Sequence, residues 1–417
     1  MGTHAEEAGK ASKGNQGRPI SLFFVLDLIH LVDDQLNNVQ KAGSFDVSIA
    51  LVWSQFSAYH VDRIEAVAER LAGRTQVLAC EIATASATYA WDPSGPTRGA
   101  HKVTLFPGQS YEQIPWGRRF MALARALAQV RTVFVGVSYA EPDIIALAWW
   151  LRLTGKRVIM MTESKFDDRA RRIEFELLKP FVFAPYAGAM VGGPRQVDYV
   201  RFLGFRRRPV VEGYDCVGLA RVRALGTNSP APQGPAYDDR PFVFVGRLVP
   251  KKNALLLVDA FNRYVELAGA NARRLVIVGG GPLEADIRAR LAGSAAESRV
   301  EMPGFLQADG VARALSGALA LILPSVEEQW GLVVNEALAF NLPVIVSANV
   351  GSRETLVHNL VNGYVVEATS VEGFARAMLA MAADEQRWRE MVEASAQLAP
   401  LGDAPRFAGA VETLARL

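Results

Sequence analysis

The sequence predicts an α/β protein built from two doubly wound, Rossmann-like units whose strand ends face each other across a cleft. Three observations carry this. Short apolar runs alternate with amphipathic helical stretches along most of the chain, as in parallel sheets covered on both faces. The alternation breaks at a turn-rich run, Gly226 to Pro235 (Gly-Thr-Asn-Ser-Pro-Ala-Pro-Gln-Gly-Pro), and then restarts. The 417 residues also exceed what one ordinary core accommodates. Facing strand ends make the default ligand cleft.

In the first half the predicted strands are 21–26, 47–52, 77–80, 132–137, 158–162 and 188–191. Helical periodicity falls at 60–72, 117–129, 142–153 and 170–181. The stretch 83–116 has no clear period and predicts no element. In the second half strands are expected at 241–245, 274–278, 300–302, 319–323 and 343–347, with helices at 254–267, 283–291, 310–316 and 332–340. The resulting division is a disordered polar tail at 1–18, a first domain at 19–220, a linker at 221–240 and a second domain at 241–395. A terminal helix at 396–417 is long enough to cross back to the first domain.

Composition narrows the function. Half the residues are apolar and net charge is +2, so nothing calls for nucleic acid. The first 220 residues carry 26 Lys and Arg against 22 Asp and Glu, so the excess is on that side. Two cysteines, Cys80 and Cys216, suit a reducing compartment. Five scattered histidines and no Asp-x-Asp argue against a protein-held metal. The polar start does not read as a signal peptide, and the run Ser21–Val32, interrupted by Asp27, is too short to span a bilayer. A cytoplasmic protein is expected, with the inner membrane face as an alternative station.

The most informative run is Pro-Ser-Val-Glu-Glu-Gln-Trp-Gly-Leu-Val-Val-Asn-Glu-Ala-Leu-Ala, 324–339. An apolar strand leads through a polar loop and Gly331 into a helix. Glu328 lies in the loop and Glu336 one turn into the helix, with seven residues between them. The unpaired N–H groups and dipole of a helix start favour an anion. Carboxylates suit hydroxyls. A ligand with phosphate and many hydroxyls meets both needs, and a nucleotide sugar is one. The plainer reading is two acids complementing a helix dipole. Upstream, however, the strand Phe242–Val245 ends at Gly246, followed by Arg247 and, five residues later, Lys252. Arg247 offers a planar donor fork and Lys252 a point charge where a ligand of an open sheet is expected.

These pieces resemble the GT-B retaining glycosyltransferases of family GT4. The match comprises Gly246-Arg247-Leu248 with Lys252-Asn253, Val278-Gly279-Gly280-Gly281-Pro282, Pro303-Gly304-Phe305, the Glu328–Gly331–Glu336 run, Leu342-Pro343-Val344-Ile345 and Asn362-Gly363-Tyr364. The resemblance implies that Arg247 and Lys252 bind a donor diphosphate, helped by the N–H groups of Gly331 and Leu332, with Gly246 also at the donor. It gives Glu336 the ribose hydroxyls, Glu328 the sugar hydroxyls and Phe305 the edge of the base pocket. It implies retention of anomeric configuration and no bound metal or other cofactor. The expected partners are a nucleotide-sugar donor and a saccharide or lipid-linked acceptor.

The first half departs from the family. The place of its glycine-rich loop after the first strand reads Asp27-Leu28-Ile29-His30. The place of a later histidine, after Met160-Met161-Thr162, is taken by Glu163 and Ser164, which become candidates to face the donor sugar. The alternative for Glu163 is a surface pair with Lys165 or Arg169. Gly192-Gly193-Pro194-Arg195 and Gly213-Tyr214-Asp215 resemble the end of the acceptor domain in a distinct subgroup. Arg169, Arg171, Arg172 and Arg206–Arg208 read either as solvated faces or as contacts to an anionic membrane. Trp149-Trp150 reads as core or as interfacial, His30 as structural or cleft-facing, and Glu327 as an exposed neighbour. A sugar-transferring enzyme, a non-catalytic nucleotide-sugar-binding partner and an epimerase of the same architecture all remain compatible with these residues.

Overall fold

Two parallel sheets carry the molecule, both inside one compact unit, Phe45–Leu417. The computed structural model describes residues 47–87, 93–168 and 171–417. The polar tail at 1–18, the expected strand at 21–26 and the loop Asp27–His30 lie outside the described residues.

The first sheet runs β1 (Val47–Trp53), α1 (Ala58–Arg70), β2 (Gln76–Ala85), β3 (His101–Ser110), α2 (Trp116–Ala126), β4 (Thr132–Val135), α3 (Pro142–Leu153), β5 (Arg157–Thr162), α4 (Ile173–Phe183), β6 (Gly188–Val191), α5 (Pro194–Phe202) and β7 (Val210–Glu212). Its order is β3-β2-β1-β4-β5-β6-β7. The helix α6 (Leu219–Leu225) leads to the second sheet. There follow β8 (Phe242–Val245), α7 (Ala254–Ala268), β9 (Leu275–Val278), α8 (Glu284–Leu291), β10 (Val300–Gly304), α9 (Ala308–Ser316), β11 (Ala320–Leu323) and α10 (Leu332–Ala339). The chain ends with β12 (Val344–Ser347), α11 (Arg353–Leu356), β13 (Gly363–Val366), α12 (Val371–Ala383), α13 (Glu385–Leu398) and α14 (Ala404–Arg416). The second order is β10-β9-β8-β11-β12-β13.

The central strands are buried on both faces, which is why Ala-Leu-Ile-Leu at β11 and Val-Ile-Val-Ser at β12 show no polar alternation. The helices bury one stripe each. Leu257, Val258, Phe261 and Tyr264 of α7 enter the second core. The terminal helix α14 packs on α1, and its Phe407, Val411 and Leu414 complete the first core beside Trp53, Phe56 and Ile64. Glu412 receives Arg70 at 2.6 Å and Arg74 at 2.8 Å on the rim.

Several elements differ from the sequence expectation. The unreadable stretch 83–116 contains β3. It is an edge strand, paired only with β2, and Pro107 and Gly108 inside it mask its period. The three-residue β7 and the edge strand β13 were also not anticipated. The described sheet is seven-stranded with β1 at its interior, so the loop following its first strand is Ser54-Gln55-Phe56-Ser57. Trp149 is exposed, against the core reading.

The turns after β8 and β9 touch so closely that a Cβ on Gly279, whose φ is +143°, would lie 1.9 Å from the Gly246 carbonyl oxygen. Gly117, in the first turn of α2, has no atom within 4 Å of a Cβ and a negative φ. Gly279→Ala should therefore cost at least about 2 kcal/mol of stability, from strain and clash. Gly117→Ala should raise stability by about 0.5–1 kcal/mol. Chemical denaturation of the two variants checks both signs.

Candidate active site

The site starts where β8 and β11 end side by side. The Pro250–Lys252 turn closes on Asn253, held at φ +59°, whose side-chain amide donates to the carbonyls of Pro324 (3.2 Å) and Ala368 (2.8 Å). The Val326 N–H donates to the Lys251 carbonyl at 2.8 Å. These bonds lay the β8–α7 and β11–α10 loops against each other, and Lys252 forms an ion pair with Glu328. Glu328 also accepts from the Ser325 hydroxyl at 3.0 Å. Gly331 then turns the chain into α10 from a left-handed conformation, φ +96°; its Cβ would crowd Leu323 and Glu328. Among the described residues the Gly331 and Leu332 N–H groups bond nothing. They open α10, where such donors favour an anion. Arg247 is exposed and forms no ion pair among the described residues. Lys252 folds over Gly246, where a Cβ would meet its stem at 3.8 Å.

The first sheet grips the same loop. The Gln196 amide on α5 donates to the Gln329 carbonyl at 2.8 Å, and Gln329 donates to Asp168 at 3.1 Å. The buried Trp330 ring covers Gly192 and Gly193; a Cβ on Gly192 would come within 2.6 Å of it. Its indole N–H donates to Asn335 (3.0 Å), which in turn donates to the carbonyls of Asp215 (2.8 Å) and Gly402 (3.0 Å).

Glu163 follows β5 and is half-buried. Burial lifts its pKa above the ordinary carboxylate value; Asp215 and Arg63 pull it back, while Glu328 on the opposite loop adds to the rise. Asp215 is buried and its carboxyl oxygens accept no hydrogen bond at normal distance. Arg63 Nη2 stands 3.9 Å from it. Burial, then the adjacent Glu163, hold Asp215 well above the usual range. The structure thus brings Glu163, Asp215 and Glu328 into one electrostatic neighbourhood. Lys165 pairs with Asp167 at 2.9 Å rather than with Glu163, and Arg169 lies outside the described residues. Ser164 is 3.3 Å from the Tyr139 hydroxyl.

Glu336 is buried and accepts from the Tyr59 hydroxyl of the first half at 2.9 Å. Burial raises it to about 6; the Tyr59 bond and Arg221 oppose that rise. Phe305 is exposed at the end of β10, beside Gly280. Glu327 is exposed. Sequence reasoning missed Tyr59, Arg63, Gln196 and Trp330. It met Asp215 only as part of a motif; Tyr59, Gln196 and Trp330 act through contacts between the halves, and Arg63 reaches Asp215 from a distant helix of the first half.

Residues 227–398 match the family described as Glycosyl transferases group 1. Among curated relatives, an uncharacterised glycosyltransferase of Methanocaldococcus jannaschii is 30% identical over 138 residues, 33% of this chain and 34% of that one. A D-inositol 3-phosphate glycosyltransferase of Actinosynnema mirum is 33% identical over 271 residues, 63% and 58% of the two chains. The chain spans about a third to two-fifths of the length of the first curated relatives it matches. Among solved structures, Anabaena HepE in complex with UDP superposes with a TM-score of 0.66 at 14% identity, over 89% of this chain and 100% of that one. Sucrose-phosphate synthase of Thermosynechococcus elongatus gives 0.66 at 18%, over 88% and 98%. The two sheets thus form a GT-B fold. The similarity to the glycosyl transferases group 1 family lies in the segment 227–398, in the half of the chain that carries the second sheet.

The raised Glu336 gives a signed prediction. A carboxyl whose pKa rises on folding adds stability below its unfolded pKa and loses it as pH climbs through the folded one. For Glu336 the window runs from 4.5 to about 6. Glu336→Gln should remove about 2 kcal/mol of stability change across that window. Denaturation of wild type and variant at acid and neutral pH measures it.

Proposed function

We propose that the chain is a retaining glycosyltransferase that moves a sugar from a nucleotide-sugar donor to a saccharide or lipid-linked acceptor. The observation that carries this is the grouping of Lys252, Glu328 and the open N–H groups of Gly331 and Leu332 around one helix start, with Arg247 exposed on the same β8–α7 loop as Lys252. Cations and N–H donors take the diphosphate; carboxylates take hydroxyls. The relatives agree in kind. One is named for a uridine-diphosphate galactose donor and a diphosphoundecaprenol-linked acceptor, and HepE is described in complex with UDP-glucose.

On this reading Lys252 leaves Glu328 for the leaving diphosphate, and Glu328 turns to sugar hydroxyls. Arg247 and the α10 dipole stabilise the charge that grows as the glycosidic bond breaks. Phe305 borders the base, and Glu336 takes the ribose hydroxyls once Tyr59 shares or yields it. Glu163 faces the sugar from the other side and steadies positive charge at the anomeric carbon, with Ser164 as a neighbouring contact. We assign the reaction no metal and no other cofactor, as the resemblance of segment 227–398 to glycosyl transferases group 1 implies.

The test is a panel of nucleotide sugars incubated with saccharide acceptors and followed by proton NMR, which reads both transfer and anomeric configuration. Retention and undiminished turnover in excess chelator are expected. Arg247→Ala and Lys252→Ala should each lower kcat/KM about 100- to 1,000-fold, as loss of an oxyanion donor does. Inversion of the donor sugar without transfer, or rescue of chelated enzyme by manganese or magnesium alone, would contradict the reading.

A further inference from the structure

The outer face of the first sheet carries two features that the cleft does not use. The strand steps β4 to β5 to β6 to β7 all move the same way across the sheet. Right-handed crossovers therefore place α3, α4 and α5 in one layer on one face. That layer exposes large apolar side chains. Trp149 and Leu153 (80% exposed) stand on α3, and Leu177 (66%) and Phe181 (73%) lie one turn apart on α4. Phe202 ends α5 against Phe166, ring centres 5.1 Å apart, and both are exposed.

Beside this layer is a basic pocket of about 570 Å³ lined by Arg157, Arg201, Arg206, Arg207, Arg208 and Leu417, whose carboxylate pairs with none of them, and no Asp or Glu side chain stands in its wall. Arg208 is engaged structurally: it donates to the carbonyls of Phe183 (2.6 Å), Tyr186 (2.8 Å) and Gly204 (3.0 Å). The other four form no ion pair with any described residue, although ion pairs are frequent elsewhere in the chain. Their loop packs on α4, since a Cβ on Gly204 would lie 3.8 Å from Pro180, the residue before Phe181. Arg171, by contrast, is spent on Asp168, Glu176 and Tyr199, and Arg172 is paired with Glu174, so neither supplies free charge. The acid exposed on the same helix as Phe202 is Asp198, one turn earlier.

We propose that this face docks on an anionic lipid bilayer. Uncompensated arginines attract an anionic surface, and an adjoining rim of Trp, Phe and Leu enters the headgroup and upper acyl region; together they are the two signals that peripheral anchoring requires. Tryptophan is also enriched at that depth. No described helix is long and apolar enough to cross a membrane, so the contact is peripheral for these residues. The face runs from Phe166, three residues past Glu163, to the arginine pocket, whose Arg157 and Val210 open β5 and β7. The proposal does not depend on sugar transfer.

The test is cosedimentation of the full chain with vesicles of neutral lipid and with vesicles of equal parts neutral and anionic lipid. Binding to the anionic vesicles only is expected, weakening with salt. Arg206→Ala and Arg207→Ala should each lower the partition coefficient about fivefold. Phe181→Ser with Leu177→Ser should lower it further at unchanged melting temperature, both side chains being exposed. Inorganic tripolyphosphate serves as the soluble comparison. Stabilisation by tripolyphosphate without vesicle binding would overturn the proposal in favour of a soluble polyanion. Concentration-dependent self-association abolished by Phe181→Ser, without vesicle binding, would overturn it in favour of a second copy of the chain. Equal binding to neutral and anionic vesicles, or no binding to either, would also overturn it.

Discussion

The structure depends on one wedge. Trp330 projects from the β11–α10 loop into the space left by Gly192 and Gly193 at the end of β6, and no side chain larger than hydrogen fits beneath it. The ring is buried and its N–H is used, so it adds both apolar burial and a directed bond to Asn335. Asn335 extends that bond to Asp215 and Gly402. The loop bearing Glu328 is thus fixed by both halves of the molecule. A change in how the halves meet must move Glu328 and the start of α10.

Electrostatics follow from the same junction. Lys252 and Glu328 satisfy each other within reach of the free donors of α10, while Arg247 stays exposed. On the facing side Glu163 and Asp215 are both pushed toward their neutral forms, chiefly by burial. Two carboxyls that resist ionising thus face the Lys252–Glu328 ion pair. Perturbed carboxyls of this kind are the usual mark of a functional site, and structural ion-pair networks produce them as well.

The legibility of the chain in its sequence follows the same division. The second sheet was readable because its strands are buried apolar runs and its turns carry glycines and cations at fixed offsets; β8, β9, β11 and β12 fall within a residue or two of expectation. Strand β3 was not, because an edge strand half open to water needs no clean alternation and tolerates Pro107. In the site, Arg247, Lys252 and Glu328 were legible as neighbours along a strand–loop–helix path. Tyr59 on Glu336 and Gln196 on Gln329 were not, since each joins residues more than a hundred positions apart and no local period announces them.

The central claim is that the start of α10, with Arg247 and Lys252, binds a nucleoside diphosphate without a metal. Isothermal titration of UDP into the wild-type chain in the presence of chelator tests it most directly. The account predicts saturable one-to-one binding, weakened about 10- to 100-fold in Lys252→Ala and again in Arg247→Ala, the scale for loss of a charge-assisted contact. Binding that is unchanged in both variants, or that appears only when a divalent metal is added, would contradict it.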